Sequence, residues 1–141
     1  MYIMTDEERK ELLKTIKTIA IVGISKKENR PSYVVARYLK NAGYKIIPVN
    51  PIYDEVLGER CFKKLSDIEE PVDVVDIFMR SDKVLPVVEE AIKIKPKCIW
   101  LQLGIKNEEA KRLAEEKGIK FEMDRCIKIE HTILIGTGLN S

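Results

Sequence analysis

Apolar residues follow two alternating rhythms along this chain. Short, almost unbroken apolar runs at 18–23, 45–50, 72–78, 97–101 and 119–122 have the length and β-branched content of strands buried on both faces. Between them, apolar residues recur every three or four positions, as on one side of a helix. Thr5-Asp6-Glu7-Glu8 is a capping box, so a first helix runs to about Lys14. A second starts at Ser32, which caps it, turns Val34, Val35, Tyr38, Leu39 and Ala42 inward, and closes at Gly43. Ser81 caps a third, with Val84, Val87, Val88, Ala91 and Ile92 inward and Pro96 at its end. Asn107-Glu108-Glu109 opens a fourth, which Gly118 closes. Residues 51–59 predict a turn-rich crossing with one short helical turn. After Asp124 comes one more apolar run, 127–129, and no element is assigned to 132–139.

Apolar strands alternating with amphipathic helices predict an α/β fold: a doubly wound, mainly parallel sheet of five strands or slightly more, with helices on both faces. Ligands of such sheets sit beyond the carboxyl ends of the strands, where strand order reverses. Gly23 to Ser25, Asn50-Pro51, Phe78 to Ser81 and Gln102 to Ile105 stand at those ends. They are small, polar or aromatic, whereas the strands are apolar.

Composition narrows the function. A chain of 141 residues with 45% hydrophobic and 34% charged side chains reads as one soluble domain. Its organisation divides into a capping helix (1–17), a core (18–131) and a tail (132–141). A net charge of +2 gives no global field for nucleic acid or an anionic membrane, and no apolar run is long enough to span a bilayer. The acidic N-terminus is no signal peptide. Cys61, Cys98 and Cys126 form no C-x-x-C pair, and there is a single histidine, so the chain predicts no metal site and a reducing cytoplasm. Abundant Lys, Glu and Ile beside a single Gln point to a heat-adapted source.

The candidate chemistry concentrates in the first strand-to-helix loop. Gly23, Ile24, Ser25, Lys26, Lys27, Arg30 and Ser32 carry a strand into a helix through a basic turn. Backbone N–H groups and the positive end of the helix dipole converge there, which favours a phosphate. The dinucleotide fingerprint is absent: Gly23 is the only glycine before Gly43, and the second strand ends in Asn50-Pro51 where an acid would bind the ribose. Such a loop suits a nucleotide carrying extra phosphate. Arg80 stands at the ligand edge, where it can grip a phosphate, and Gln102 and Gly104 suit close backbone approach. Trp100, Cys61 and Cys98 read as packing residues, and His131 as a surface residue. A tail that begins at the carboxyl end of the last strand can bring Cys126 to the cleft, with Arg125 beside it as a source of positive charge for a reactive sulfur.

Taken together, Ile21-Val22-Gly23-Ile24-Ser25, Arg30-Pro31-Ser32, Pro48-Val49-Asn50-Pro51, residues 72–78, Trp100-Leu101-Gln102-Leu103-Gly104-Ile105 and Asp124-Arg125-Cys126 resemble the small single-domain CoA-binding proteins of Rossmann-like fold. These are similar to the CoA-binding domain of the succinyl-CoA synthetase alpha subunit. The resemblance implies coenzyme A as the cofactor, with its diphosphate near Ser25 to Ser32 and its adenosine near Asn50-Pro51 and Phe78. It makes Gly23, Ile24, Ser25, Lys26, Arg30, Ser32, Asn50, Pro51, Phe78, Arg80, Gly104 and Ile105 the candidate binding residues. In the synthetases a phosphorylated histidine lies in a further domain, and His131 stands in no matching motif. The expectation is a binder of CoA or an acyl-CoA without catalysis of its own, serving as carrier, sensor or regulator, and no protein partner is named by the pattern. The alternatives are an NAD(P)-binding oxidoreductase or redox sensor on the same fold, and an enzyme acting on CoA thiol through Cys126.

Overall fold

The computed structural model describes residues 2–136. Its centre is a five-stranded sheet of β1 (Thr18–Val22), β2 (Lys45–Val49), β5 (Val74–Ile77), β6 (Cys98–Leu101) and β7 (Lys120–Glu122), in the order β2-β1-β5-β6-β7. Every pairing in it is parallel. The chain winds outward from β1 to β2 and then returns to β5 on the other side of β1. The tips of β1 and β5 therefore mark the reversal of strand order, the place where this architecture holds ligands.

Helices cover both faces, as the pattern predicts. Helices α1 (Asp6–Thr15) and α2 (Pro31–Asn41) pack Leu12, Leu13, Val35 and Leu39 with Ile19, Ile21 and Trp100 of the sheet. On the opposite face α3 (Val84–Lys93) and α4 (Glu108–Glu116) pack Val84, Val88, Ala91, Ala110 and Ala114 with Ala20, Val75, Ile99 and Phe121. The Thr5 capping box is present: its side chain accepts from the Glu8 N–H, and the Glu8 carboxylate accepts from the Thr5 N–H.

Several local expectations need correction. Ser32 does not cap α2. Arg30 is the N-cap and Pro31 the first helical residue, because proline has its φ preset for a first turn and no N–H to satisfy. Ala42 lies past the last helical residue and is exposed, and Tyr38 is only half-buried. Ser81 does not cap α3 either: a single 3-10 turn, Ser81–Lys83, precedes the helix, whose N-cap is Lys83. Helix α3 stops at Lys93, short of Pro96, and Lys95 turns the chain at φ +52°. Residues 51–59 contain no helical turn; the one helical turn between β2 and β5 is a 3-10 turn at Leu65–Asp67. The crossing after β2 forms a hairpin of β3 (Glu55–Val56) and β4 (Glu59–Arg60) around Leu57-Gly58, both at positive φ as a tight two-residue turn requires.

The largest correction concerns the C-terminal segment. Residues 127–129 are not an isolated apolar run but the start of a helix, α5 (Ile127–Leu134), with Cys126 as its N-cap. It packs on the α1/α2 face through Ile127 and His131. A buried ion network holds it there. Arg9, 4% exposed, donates to the Met4 carbonyl at 2.8 Å, to Asp6 at 2.6 Å and to Glu122 at 3.2 Å, and its Nε lies 3.4 Å from Glu130. This ties α1, β7 and α5 together. Of the stretch 132–141, residues 137–141 lie outside the described residues.

Candidate functional site

Gly23 ends β1 and donates its N–H to the Val49 carbonyl at 2.9 Å. Its φ is +84°, and a Cβ placed on it would lie 2.2 Å from the Phe78 carbonyl oxygen. The glycine lets the tips of β1 and β5 touch. Ile24 is fully buried, so only its backbone faces the loop. Ser25 donates its N–H to Ser32 Oγ at 2.9 Å, Ser25 Oγ accepts from the Lys27 N–H at 3.0 Å, and the Lys27 carbonyl accepts from the Arg30 N–H at 3.0 Å. The loop is thus cross-braced from within, and Ser32 serves as a brace.

That bracing pushes the cations outward. Lys26, Lys27 and Arg30 are exposed at the N-terminus of α2, and none forms an ion pair among the described residues. Lys26 Nζ hovers 5.7 Å from the centroid of the Tyr53 ring. Asn50, at the tip of β2, donates from Nδ2 to the Ile24 carbonyl and accepts at Oδ1 from the Ile52 N–H, both at 2.9 Å. It joins the β1 and β2 loops and leaves Pro51 exposed between them.

On the other side of β1 lies a groove of about 530 Å³, with Pro31, Phe78, Gln102, Ile105, Cys126 and Ile129 in its wall. Val35 and Leu103 add to its apolar lining. Pro31 belongs both to this wall and to the first turn of α2, so the basic loop and the apolar groove are one continuous surface. Arg80 reaches the groove and pairs with Asp82 at 2.9 Å. Ile105 lines it, whereas the Gly104 N–H is engaged by Asp124 Oδ1 at 2.7 Å. That bond, with Lys106 nearby, holds the Asp124 carboxyl below its ordinary range. A second cavity of about 570 Å³ runs along the outer edge of β2 beside Lys45, Arg60 and Glu70, away from the strand tips.

The structure therefore gathers Gly23, Ile24, Ser25, Lys26, Arg30, Ser32, Asn50 and Pro51 around the β1 loop, and Phe78, Arg80 and Ile105 along the groove. Cys126 and Ile129 join the groove because α5 folds back over it, an element the apolar pattern does not reveal. His131, expected at the surface, is 5% exposed. Its Nδ1 shares a 2.8 Å hydrogen bond with the Tyr38 hydroxyl, and its ring stands edge-on to Tyr38 and Tyr44. Burial pushes its pKa down, which keeps the ring neutral, and it pairs with Tyr38, not with Cys126. Arg125 gives Cys126 no free charge, since its guanidinium lies 3.0 Å from Glu122 and 3.5 Å from Glu130. Trp100 is fully buried and donates from Nε1 to the Arg125 carbonyl. Among the described residues no cluster of His, Cys, Asp and Glu has the makings of a metal site, and no helix is long and apolar enough to cross a membrane.

Exposed cations at a helix N-terminus, opening directly into a narrow apolar groove, suit a ligand with an anionic head and a long arm of low polarity. Comparison with known proteins leads to the same place. The profile described as CoA binding domain matches residues 17–132. The chain is 42% identical to an uncharacterized protein, YneT, of Bacillus subtilis over 126 residues, covering 89% of this chain and 93% of that protein. A solved protein from Pyrococcus horikoshii is 41% identical, with a TM-score of 0.91 and 94% of each chain covered. An ADP-forming acetate–CoA ligase of Methanocaldococcus jannaschii is 39% identical over 77 residues, and the match spans 55% of this chain but only 11% of that protein.

Proposed function

The chain belongs to the CoA binding domain family, and we propose that it binds coenzyme A or an acyl-CoA without transforming it, as a carrier, sensor or regulator. The observation that carries this reading is the continuity, through Pro31, of the basic β1 loop with the groove. In it the diphosphate meets Lys26, Arg30 and the first turn of α2, and the adenosine turns toward Asn50-Pro51 at the tip of β2. Phe78, which the resemblance set beside the adenosine, lines the groove, so in this reading it flanks the pantetheine arm together with Ile105. The ligand's three phosphate groups match a loop whose three exposed cations outnumber its one exposed acid, Glu28, and the second strand ends in Asn50-Pro51 where an acid would hold a ribose diol. The N–H groups of Ser25 and Lys27 are satisfied within the loop, so the charge of the side chains and of the helix end supplies most of the attraction. The chain spans a small part of the ligases it matches, and the reaction of those proteins is not carried over to it.

Saturating CoA is expected to raise the thermal midpoint. Mass action gives about 2.7 kcal/mol of added stability at a ligand concentration 100 times the dissociation constant. Dephospho-CoA should bind more weakly and NAD should produce no shift. A clear shift with NAD and none with CoA would replace this reading with the dinucleotide one.

Arg30→Ala should weaken CoA binding by about 1.5–3 kcal/mol, the worth of a hydrogen bond to a charged group. Arg30 makes no side-chain cap bond to α2, so the loss should appear in binding and not in folding. Lys26→Ala or Lys27→Ala should cost less, because an ammonium is better solvated and not bidentate. Titration calorimetry checks the order; an unchanged affinity in Arg30→Ala would move the phosphate away from the helix N-terminus.

A further inference from the structure

The wall of the groove holds two groups that the binding reading leaves without a task. One is the Gln102 carboxamide. Gln102 is 4% exposed and lines the groove, and its Oε1 accepts the Ile127 N–H at 3.1 Å. Since an N–H donates to that atom, the other terminal atom is the amide nitrogen. None of the described residues accepts from Nε2 through a hydrogen bond. The sealed side-chain atoms without partners among the described residues are Arg9 Nε and the two Asp76 oxygens; Gln102 Nε2 is not among them and keeps solvent access, on a residue that lines the groove. The other group is the Cys126 thiol, free and partly exposed in the same wall. The two are mechanically joined, because the N–H that Gln102 holds belongs to the residue next to Cys126.

The fold brings this thiol back toward the anionic head. After β7 the chain returns over the tip of β6, where Trp100 holds the Arg125 carbonyl and Gln102 the Ile127 N–H, and α5 reaches α2 through the His131–Tyr38 hydrogen bond. Cys126 thus lines the same groove as Pro31 in the first turn of α2. A ligand anchored by phosphate at that turn and extending an arm along the groove has both Gln102 and Cys126 in the wall beside it. The pantetheine arm has two amide carbonyls and ends in a thiol.

Resting on the CoA-binding reading, we propose that Cys126 is the site of a mixed disulfide with coenzyme A, and that Gln102 orients the arm by donating to its carbonyl. The step is an exchange. The Cys126 sulfur, as thiolate, attacks one sulfur of CoA disulfide; the Cys126–CoA bond forms as the CoA–CoA bond breaks. The second CoA leaves as thiolate and takes up the proton that Cys126 released. One disulfide replaces another, so no further oxidant is required, and a small thiol reverses the exchange by attacking the new bond. The protein then reports the balance of CoA disulfide against CoA thiol. The other cysteines are unsuited. Burial pushes both thiols up, with Cys98 fully enclosed in β6 and Cys61 5% exposed. Because Glu122 and Glu130 occupy Arg125, selectivity comes from docking, which places the two sulfurs together.

The test treats the folded protein with CoA disulfide, or with cystamine, and weighs it intact over time. The proposal expects a single CoA adduct that a small thiol removes, that is lost in Cys126→Ser and that persists in Cys61→Ser. The reaction with CoA disulfide should outpace that with cystamine by more than tenfold, as docking predicts. Arg30→Ala should slow the reaction with CoA disulfide and narrow its lead over cystamine. An adduct on Cys61, or equal rates with both disulfides, overturns the proposal. A parallel calorimetric titration of the reduced wild type with CoA separates the two readings. Binding without any adduct removes the disulfide alone, whereas the absence of binding removes the CoA reading and the disulfide with it.

Discussion

Gly23→Ala is expected to cost the fold about 2–5 kcal/mol, not merely to weaken a ligand. The added Cβ would stand 2.2 Å from the Phe78 carbonyl oxygen, and that oxygen belongs to backbone that cannot swing aside. The tips are clamped: the Gly23 N–H donates to Val49 and the Phe78 N–H to Val22, each at 2.9 Å. Relief means parting β1 from β5 where strand order reverses. A non-glycine residue at φ +84° adds about 1–2 kcal/mol of backbone strain. An overpacked core site adds about 1–3 kcal/mol. Against a typical total of about 5–15 kcal/mol, the sum removes much of the stability. Gly104→Ala is the control. Its φ is +85°, but nothing lies within 4 Å of its Cβ, so only the strain applies. Urea melts should show a loss of about 1–2 kcal/mol in Gly104→Ala and a clearly larger one in Gly23→Ala. A stable Gly23→Ala protein that has lost only CoA binding would mean that the glycine serves the ligand and not the sheet.

That contrast shows what a sequence can carry. The glycine, the basic loop and the helix start are adjacent in the chain, so a phosphate site is legible from their order. The reason for the glycine is its contact with Phe78, far away in sequence, and no local pattern exposes it. Strands β1, β2, β5, β6 and β7 are legible because a parallel sheet buried on both faces leaves unbroken apolar runs. Helix α5 is not. Its Ile127, Ile129 and Ile133 alternate with Lys128, Glu130 and Thr132 like a strand, and Cys126 makes no side-chain cap bond. Losing α5 also hides one wall of the groove, and with it the meeting of Cys126 and Gln102. The hairpin turn escapes for a related reason: Leu57-Gly58 lacks the Asn or Asp that usually marks its type. Titratable residues are the least legible of all. His131 reads as surface and is buried by Tyr38 and Tyr44, elements brought to it by the fold.

Asp76 extends that lesson to stability, and its replacement should strengthen the protein. It sits in β5 beside Ile21 of β1 and Trp100 of β6, is 0% exposed, and neither carboxylate oxygen has a hydrogen-bond partner among the described residues. Burial raises its pKa well above the ordinary carboxyl range, which favours the protonated form in the folded protein. In the unfolded chain it ionises near pH 4, at about 3.9. Because the folded value is the higher one, its contribution favours folding below that pH. It is lost as pH rises toward the folded value, at about 1.4 kcal/mol per pH unit. His131 runs the other way. Its folded value is lowered, so its contribution is present above about 6.5, the unfolded value, and is lost below it. The contributions of the buried Cys61 and Cys98 thiols also decline with rising pH, at about 8.5, so urea melts of the wild type and Asp76→Asn paired at each pH between 5 and 8 isolate Asp76. Asp76→Asn should flatten the decline of stability with pH across that window. Asp76→Val should flatten it and also raise stability, because it removes an unpartnered polar group from a central strand and replaces it with a β-branched side chain. The gain should be larger at pH 8 than at pH 5. If the wild type and Asp76→Asn decline in parallel, or if Asp76→Val unfolds more easily at pH 8, the carboxyl is ionised and paired in the folded protein, and the neutral assignment fails.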